Sequence, residues 1–202
     1  ADFTKIDPWL INPFFEKISN LDFHERKGEE ELSQRVDSLL KKIQDKYDQH
    51  QIKHAPYVVI KADAGTYGMG IMIAKSPEDV LSLNRKKRNK MSVIKEGAKV
   101  SEVIIQEGIH TEENIDGAVT EPVIYMIDHF VIGGFYRVHT SKGKDENLNA
   151  PGMHFIPQPF ETSCLMPDQG RPCDDEANRF YAYGVIARLA LIAAARELEI
   201  KS

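Results

Sequence analysis

The sequence predicts an α+β fold with a mainly antiparallel sheet, and three observations lead to that prediction. Residues 29–49 carry apolar side chains at three- and four-residue spacing, as an amphipathic helix does. Short β-branched runs, "YVVIKA" and "IMIA", are typical of strands. Residues 123–138 have the pattern of a β-hairpin. These elements follow one another without regular strand–helix–strand alternation, which favours an antiparallel arrangement.

The first part of the chain is expected to be irregular up to residue 28, because prolines, asparagines and Gly28 interrupt it. The segment 29–49 is then predicted to be helical, and its acidic first turn complements the helix dipole. The apolar face of this predicted helix consists of Leu32, Val36, Leu39, Leu40, Ile43 and Tyr47.

Two strands, residues 57–62 and 71–74, are predicted on either side of a glycine-rich loop. A short helix should follow, with Ser76 as N-cap and Pro77 in its first position. The basic run at residues 85–90 is interpreted as a solvated helix end or connector. It lacks interleaved aromatic residues, and the chain as a whole is acidic, so a nucleic-acid site is not expected.

The second half of the chain is predicted to contain a strand that ends near Gln106 and then a hairpin. Its strands, residues 123–127 and 130–138, flank the tight pair Asp128-His129. Adjacent glycines, Gly133 and Gly134, indicate a bend or a close backbone approach.

The last predicted element is a helix from about Asp175 to Glu199, with Asp174 as a plausible N-cap. Its apolar residues surround the helix, so we expect an exposed apolar face that contacts a missing domain or another subunit.

Composition limits the classes of function. The 202 residues are 42% hydrophobic and 28% charged, an ordinary globular balance. A net charge of −5 argues against nucleic acid and anionic membranes as partners, and no apolar run is long enough to span a bilayer. No signal peptide is recognised. Two cysteines, Cys164 and Cys173, are too few for a secreted disulfide scaffold, so a cytoplasmic location is predicted.

The glycine-rich stretch "VVIKADAGTYGMGIMIA" is the main functional signal. Lys61 precedes Gly65, Gly68 and Gly70, whereas a P-loop places its lysine after the glycines. The glycine spacing and the strand that follows also differ from a dinucleotide-binding fingerprint. What remains is a strand–loop–strand flap whose backbone N–H groups cover phosphates while the lysine adds positive charge. A glycine-rich hairpin without a ligand is the alternative.

Other residues are compatible with a nucleotide site. The strand end Gln106–Gly108 could supply a wall for adenine, and Arg137 could bind phosphoryl oxygens, although it could also be an ordinary surface or salt-bridged arginine. The loop "DENLNAPG" is rich in the oxygen ligands that Mg²⁺ prefers, or is simply a polar loop. Its oxygen-bearing side chains are Asp145, Glu146, Asn147 and Asn149.

Four motifs in this order, "VIKADAGTYGMGI", "IIQEGI", "GGFYRVH" and "ENLNAPGM", resemble the ATP-grasp superfamily. More closely, they resemble the proteobacterial glutamate–cysteine ligase family that is built on that fold. The similarity extends over most of the chain, from "KIDPWLINP" and "DFHER" to "RFYAYGVIARLALIAAARELE". It implies an ATP-grasp-like fold with flanking helices and a glycine-rich flap.

The resemblance implies a ligase that joins the side-chain carboxylate of glutamate to the amine of cysteine, the first step of glutathione biosynthesis. ATP would first phosphorylate the carboxylate. Lys61 and Arg137 would be catalytic, with Lys61 on the phosphates and Arg137 on the transferring phosphoryl group, while Glu107 or a nearby acid could reach the ribose. The nucleotide would contact Lys61, Gly65, Thr66, Tyr67, Gly68, Met69, Gly70, Gln106, Glu107, Gly108 and Ile109.

Two departures from the family pattern affect these expectations. The family takes its magnesium ligands from late strands with an acid and a Glu-x-Asn motif, whereas after "NLNAPG" this chain offers only a loop and one predicted helix, so Glu121, Asn147 and Asn149 are only candidates. Family members are also longer at the N-terminus. Residues 1–55 are therefore expected to link to a missing N-terminal domain, and residues 56–202 are expected to form the nucleotide-binding domain. The partner of the chain would be either that missing domain or a second copy in a homo-oligomer. The alternative function is a non-catalytic nucleotide-binding module or a truncated half of such a ligase.

Overall fold

The computed structural model describes residues 6–63, 70–92, 99–158 and 179–201. The chain divides into two compact units, residues 1–110 and residues 111–202. Within the described ranges, no helix is long and apolar enough to cross a membrane.

The first unit contains a four-stranded antiparallel sheet with the strand order β1-β4-β2-β3. Its strands are β1 (Phe15–Ile18), β2 (Val58–Ala62), β3 (Ile71–Ala74) and β4 (Val103–Glu107). Among the described residues of this unit, three helices accompany the sheet: α1 (Glu29–Gln49), α2 (Glu78–Leu81) and α3 (Arg85–Ser92). A single 3₁₀ turn at Pro8–Leu10 precedes them.

Helix α1 covers one face of this sheet and forms the core of the unit. The apolar face predicted from the sequence is buried throughout, which confirms the prediction. Alternate residues of the central strands, among them Val58, Ile60, Val103 and Ile105, point into the same core. Because strand side chains alternate, the residues between them lie on the opposite face of the sheet.

Two local predictions in this unit are wrong. The chain before residue 28 is not irregular throughout, because Phe15–Ile18 forms an edge strand paired with β4. That pairing is long-range, so no local signal announces it. Helix α2 begins at Glu78 after Pro77, and no side chain caps it at the expected position of Ser76. The Asp79 carboxylate instead accepts from the backbone N–H groups of Lys75 and Ser76.

The division between the compact units does not coincide with the expected boundary between residues 55 and 56. Helix α1 shares its core with β2 and β4, so residues on both sides of that boundary belong to one unit. As the limit of a nucleotide-binding domain, the boundary at residue 55 stays a prediction.

The second unit is also built on a four-stranded antiparallel sheet, in the order β5-β6-β7-β8. Its strands are β5 (Asn114–Ile115), β6 (Ala118–Ile127), β7 (Phe130–His139) and β8 (His154–Pro157), and helix α4 is Arg179–Lys201. The predicted hairpin is confirmed, with Asp128 in a left-handed conformation at its turn (φ 53°). Every strand pair in the described parts of both units is antiparallel, which confirms the α+β, mainly antiparallel prediction.

The glycine pair in β7 marks a close backbone approach, as predicted. A Cβ built on Gly134 would lie 2.5 Å from the Val123 carbonyl oxygen. The register shifts between Tyr125 and Met126, so β7 carries a bulge beside Gly133. The bulge and the missing side chain together let the two long strands stay paired to their ends.

Helix α4 exposes much of its apolar surface, as expected for this segment. Leu198 is 71% exposed, and Ile186, Leu189, Leu191 and Ile192 are exposed as well. The predicted first turn with Asp174 and Asp175, and both cysteines, Cys164 and Cys173, lie outside the described residues.

Candidate functional site

The face of the first sheet opposite α1 carries several of the residues singled out in the sequence. We call it the open face, defined by Phe15, Lys17, Val59, Lys61, Ile104 and Gln106. The register places Lys17, Ile104 and Lys61 side by side on β1, β4 and β2. Val59 and Gln106 form the next row, with Phe15 beyond. The open face therefore combines three apolar side chains with two cations and one amide.

Lys61 and Gln106 are in direct contact. The Lys61 Nζ donates to Gln106 Oε1 at 2.6 Å. Among the described residues, Lys61 makes no ion pair with a carboxylate. Lys17 differs, because it pairs with Asp63 at 2.6 Å and Glu102 at 2.8 Å.

The two lysines of the open face thus have different electrostatic environments. Asp63 and then Glu102 hold the pKa of Lys17 above its usual range. They also neutralise its charge, whereas the partner of Lys61 is a neutral amide. An anion that reaches the open face therefore finds an uncompensated cation at Lys61 rather than at Lys17.

The strand end after Gln106 is shaped by Tyr57, a residue that the sequence reasoning missed. Any Cβ on Gly108 would overlap the Tyr57 ring, so only glycine fits there. The Gly108 N–H donates to the Tyr57 carbonyl at 2.8 Å, and the Tyr57 hydroxyl donates to the Ile109 carbonyl at 2.8 Å. The Ile109 N–H donates no hydrogen bond within the described part of the chain.

The side chain of Glu107 lies on the other face from Gln106 and Lys61. It is 2% exposed, and its Oε2 accepts from the Trp9 indole N–H at 2.8 Å and from the Phe14 N–H at 3.0 Å. Burial, and then the charge of Glu107, raise the pKa of the nearby Tyr47. At the open face, residue 107 can offer a nucleotide only its backbone.

Most of the glycine loop, namely Gly65, Thr66, Tyr67, Gly68 and Met69, lies outside the described residues. Gly70 is described, and its positive φ of 63° lies in the left-handed region that favours glycine. Its carbonyl accepts from the Ala62 N–H at 3.2 Å, one residue beyond Lys61. The loop thus leaves and re-enters the sheet directly beside Lys61.

In the second unit, Arg137 lies opposite Glu121 on the β6–β7 ladder. Its Nη1 donates to Glu121 Oε2 at 3.0 Å, and its Nε is buried without a partner among the described residues. Phe155 is its cross-strand neighbour on β8 and contacts the Phe135 ring edge-on. This face therefore combines a guanidinium, whose Nε lacks a partner among the described residues, with the exposed aromatic surface of Phe155.

The predicted magnesium candidates Asn147 and Asn149 are exposed on either side of Leu148, which is fully buried. Asn147 Oδ1 accepts from the Asn149 N–H at 2.9 Å, so this oxygen closes the loop. His139, also missed from the sequence, is 3% exposed and contacts the carbonyl of Pro151 through Nε2. His139 therefore fixes the loop that carries both asparagines.

The described residues do not by themselves assemble a metal site. No group of three or more His, Cys, Asp or Glu able to hold a metal ion occurs among them. Glu121 and the two asparagines offer oxygen ligands of the kind Mg²⁺ prefers. However, the Glu121 carboxylate already accepts a hydrogen bond from Arg137, and Asn147 Oδ1 accepts one from the Asn149 N–H.

Comparison with known proteins adds a family to this geometry. The glutamate–cysteine ligase family, GshA, matches residues 1–198. A crystal structure from Methylobacillus flagellatus KT, provisionally named gamma-glutamylcysteine synthetase, is 63% identical, with a TM-score of 0.86. The match covers 100% of this chain and 48% of that one, so this chain spans about half the length of the relative. No curated protein sequence matches.

Proposed function

The chain belongs to the glutamate–cysteine ligase family, and from that premise we propose that it supplies the nucleotide-binding part of an ATP-dependent ligase. The proposed substrates are glutamate and cysteine, and the proposed fold is that of the ATP-grasp enzymes. A side-chain carboxylate oxygen of glutamate attacks the γ-phosphorus of ATP, and ADP leaves. The cysteine amine then attacks the acyl carbon of the acyl phosphate, losing a proton, and inorganic phosphate leaves.

The observation that carries this proposal is the environment of Lys61. A lysine with a neutral partner, beside the entry and exit of a glycine loop, is suited to bind the phosphates of a nucleotide. The half-buried apolar residues Val59 and Ile104 next to it are suited to a planar base. The Ile109 N–H, which has no acceptor among the described residues, could donate to a ring nitrogen of adenine.

The other site residues are assigned from the resemblance to the ligase family. Arg137 stabilises the transferring phosphoryl group, and its unsatisfied Nε supports a role in binding an anion. The flap residues, from Gly65 to Gly70, cover the phosphates through their backbone. Mg²⁺ is the expected companion of ATP, and Glu121, Asn147 and Asn149 stay predicted ligands. A cytoplasmic location also stays a prediction.

The test is ADP release by the full-length protein with ATP and a panel of amino acids. We expect release only when both glutamate and cysteine are present, with reactions that lack either one as controls. ADP release that does not depend on these two substrates, or that requires another acceptor, would contradict the assignment.

The second candidate function is a nucleotide-binding module without catalysis. It is favoured by the candidate metal ligands Glu121 and Asn147, whose oxygens already accept hydrogen bonds from Arg137 and from the Asn149 N–H. In that case ATP raises the melting temperature of the chain, because a ligand that binds only the folded state stabilises it. Neither glutamate and cysteine together nor any other amino acid would then cause ADP release.

A further inference from the structure

We propose that Trp9 and Glu107 are positioning residues, which hold the nucleotide-binding end of β4 from the side opposite the nucleotide. This inference rests on the proposed function and goes beyond it. The family resemblance suggests that Glu107 could reach the ribose of the nucleotide. In the structure, however, its carboxylate points away from the open face. Its role would be exerted through the backbone of the residues that follow it.

Three hydrogen bonds join Glu107 to the N-terminal segment, residues 7–14. The Glu107 carboxylate accepts from Trp9 at 2.8 Å and from the Phe14 N–H at 3.0 Å. The Glu107 N–H donates to the Phe14 carbonyl at 2.8 Å. Trp9 and Glu107 are 98 positions apart in the chain, so this contact exists only in the folded unit.

The other end of the N-terminal segment is fixed to the end of α1. The Asp7 carboxylate accepts from Lys46 Nζ at 2.7 Å. The Trp9 ring stacks on His50 with a centroid distance of 5.2 Å and contacts Tyr47 edge-on at 6.1 Å. The segment therefore connects a rigid helix to the last residue of β4.

Burial of the carboxylate supports a positional role. Glu107 is 2% exposed, and its Oε1 has no hydrogen-bond partner among the described residues. A buried carboxylate that is only half satisfied costs stability relative to an apolar side chain. Its geometry is nevertheless specific, because the indole N–H and a backbone N–H meet at one oxygen.

The two faces of the strand end are mechanically connected. Gln106 precedes Glu107 and contacts Lys61 on the open face, while Gly108 and Ile109 follow it. A rotation of the strand end that released Glu107 would move Gln106 and the Ile109 N–H together. Holding Glu107 therefore sets the positions of the groups proposed to contact adenine and the phosphates.

The test uses the full-length protein and the variant Trp9→Phe, which keeps an aromatic ring over His50 but removes the indole N–H. We expect the Kd for ATP to rise about tenfold, equivalent to about 1.4 kcal/mol. KM for glutamate and cysteine should be unchanged. Glu107→Gln keeps a carbonyl acceptor for Trp9, so its Kd should stay closer to wild type than that of Glu107→Ala.

A matched control separates positioning from general destabilisation. Val36→Ala truncates a fully buried residue of α1 and should lower the melting temperature without changing the Kd for ATP. If Trp9→Phe binds ATP like the wild type, or if Val36→Ala weakens ATP binding equally for the same loss of melting temperature, the positioning role is overturned.

A second readout does not require ATP. In protein labelled with 5-fluorotryptophan, the ¹⁹F resonance of Trp9 is identified by its absence in Trp9→Phe. We expect Glu107→Ala to shift it without nucleotide, and ATP to shift it in the wild type but not in Glu107→Ala. An unshifted resonance in Glu107→Ala would contradict the contact itself. Failure of the wild type to bind ATP would instead overturn the proposed function, and the positioning role with it.

Discussion

Lys61 and Gln106 lie on neighbouring strands with Nζ 2.6 Å from Oε1, and this amide is the partner of a cation that makes no ion pair among the described residues. Lys17, on the same face of the sheet, is held by two carboxylates. A phosphate that approaches this face can therefore bind Lys61 without displacing a carboxylate, whereas at Lys17 it would have to displace one.

The first prediction is that Gln106→Glu weakens ATP binding. The substitution is nearly isosteric and gives Lys61 a carboxylate partner, with which phosphate must then compete. We expect the Kd for ATP to rise about tenfold, because hydrogen bonds to charged groups are worth about 1.5–3 kcal/mol against about 1 for neutral ones. Gln49→Glu makes the same change in net charge at an exposed position of α1. Unchanged or tighter binding in Gln106→Glu would contradict the prediction.

The second prediction concerns Gly108, which has no room for a side chain beside Tyr57. Gly108→Ala must displace the Tyr57 ring, and we expect a loss of about 1–3 kcal/mol in the free energy of unfolding in urea. ATP affinity should fall as well, because the hydrogen bond from Tyr57 to Ile109 depends on that ring. Gly143→Ala is the control, since its nearest neighbours are movable carboxylates. Equal stability of the two variants would refute the steric argument.

The third prediction concerns Arg137, whose planar guanidinium a lysine cannot reproduce. We expect Arg137→Lys to lower kcat of the full-length protein about 100-fold, the usual effect of removing one preorganised charge donor. Arg35→Lys is the matched control, because Arg35 is an exposed arginine of α1 with ion pairs only at the surface. The measurement is steady-state kinetics. If Arg137→Lys has the same kcat as the wild type, Arg137 does not act in the mechanism.

The fourth prediction is a pH dependence that arises from Asp7. Its hydrogen bond with Lys46, and then one from the Trp9 N–H, lower its pKa from 3.8 to about 2. A carboxyl group whose pKa is depressed by folding stabilises the folded state above its unfolded pKa, and this contribution is lost as the pH falls through the folded pKa. The melting temperature of wild type should exceed that of Asp7→Asn near neutral pH.

The excess should shrink as the pH falls from 3.8 towards about 2. Thermal unfolding of both proteins across this range is the measurement. A difference that stays constant down to the acid end would show that the carboxylate contributes nothing through its charge.

Local patterns in the sequence predicted much of the fold. The burial of α1 follows from its own periodicity, and the β6–β7 hairpin follows from two apolar runs around Asp128. Strand β1 was missed because its four residues become a strand only through pairing with β4, which lies far along the chain. Contacts of that kind leave no local pattern.

The site was predicted less completely for the same reason. The strand alternation of β4 already separates Gln106 from Glu107, so the sequence contained the signal that the two side chains face opposite sides. Nothing in the sequence pairs Trp9 with Glu107 or Tyr57 with Gly108, since both contacts depend on tertiary packing. His139 could have been suspected only from its place at the end of β7.

Phosphate binding by Lys61 is tested most directly by turnover in the full-length protein with Lys61→Ala and Lys17→Ala, each checked for an unchanged melting temperature. Lys61→Ala should lose about 100-fold in glutamate- and cysteine-dependent ADP release, the scale expected when one charge-stabilising group is removed. Lys17→Ala, which removes a cation already neutralised by Asp63 and Glu102, should remain close to wild type. Normal turnover in a folded Lys61→Ala protein, or an equal loss in both variants, would contradict the assignment of Lys61 to the phosphates.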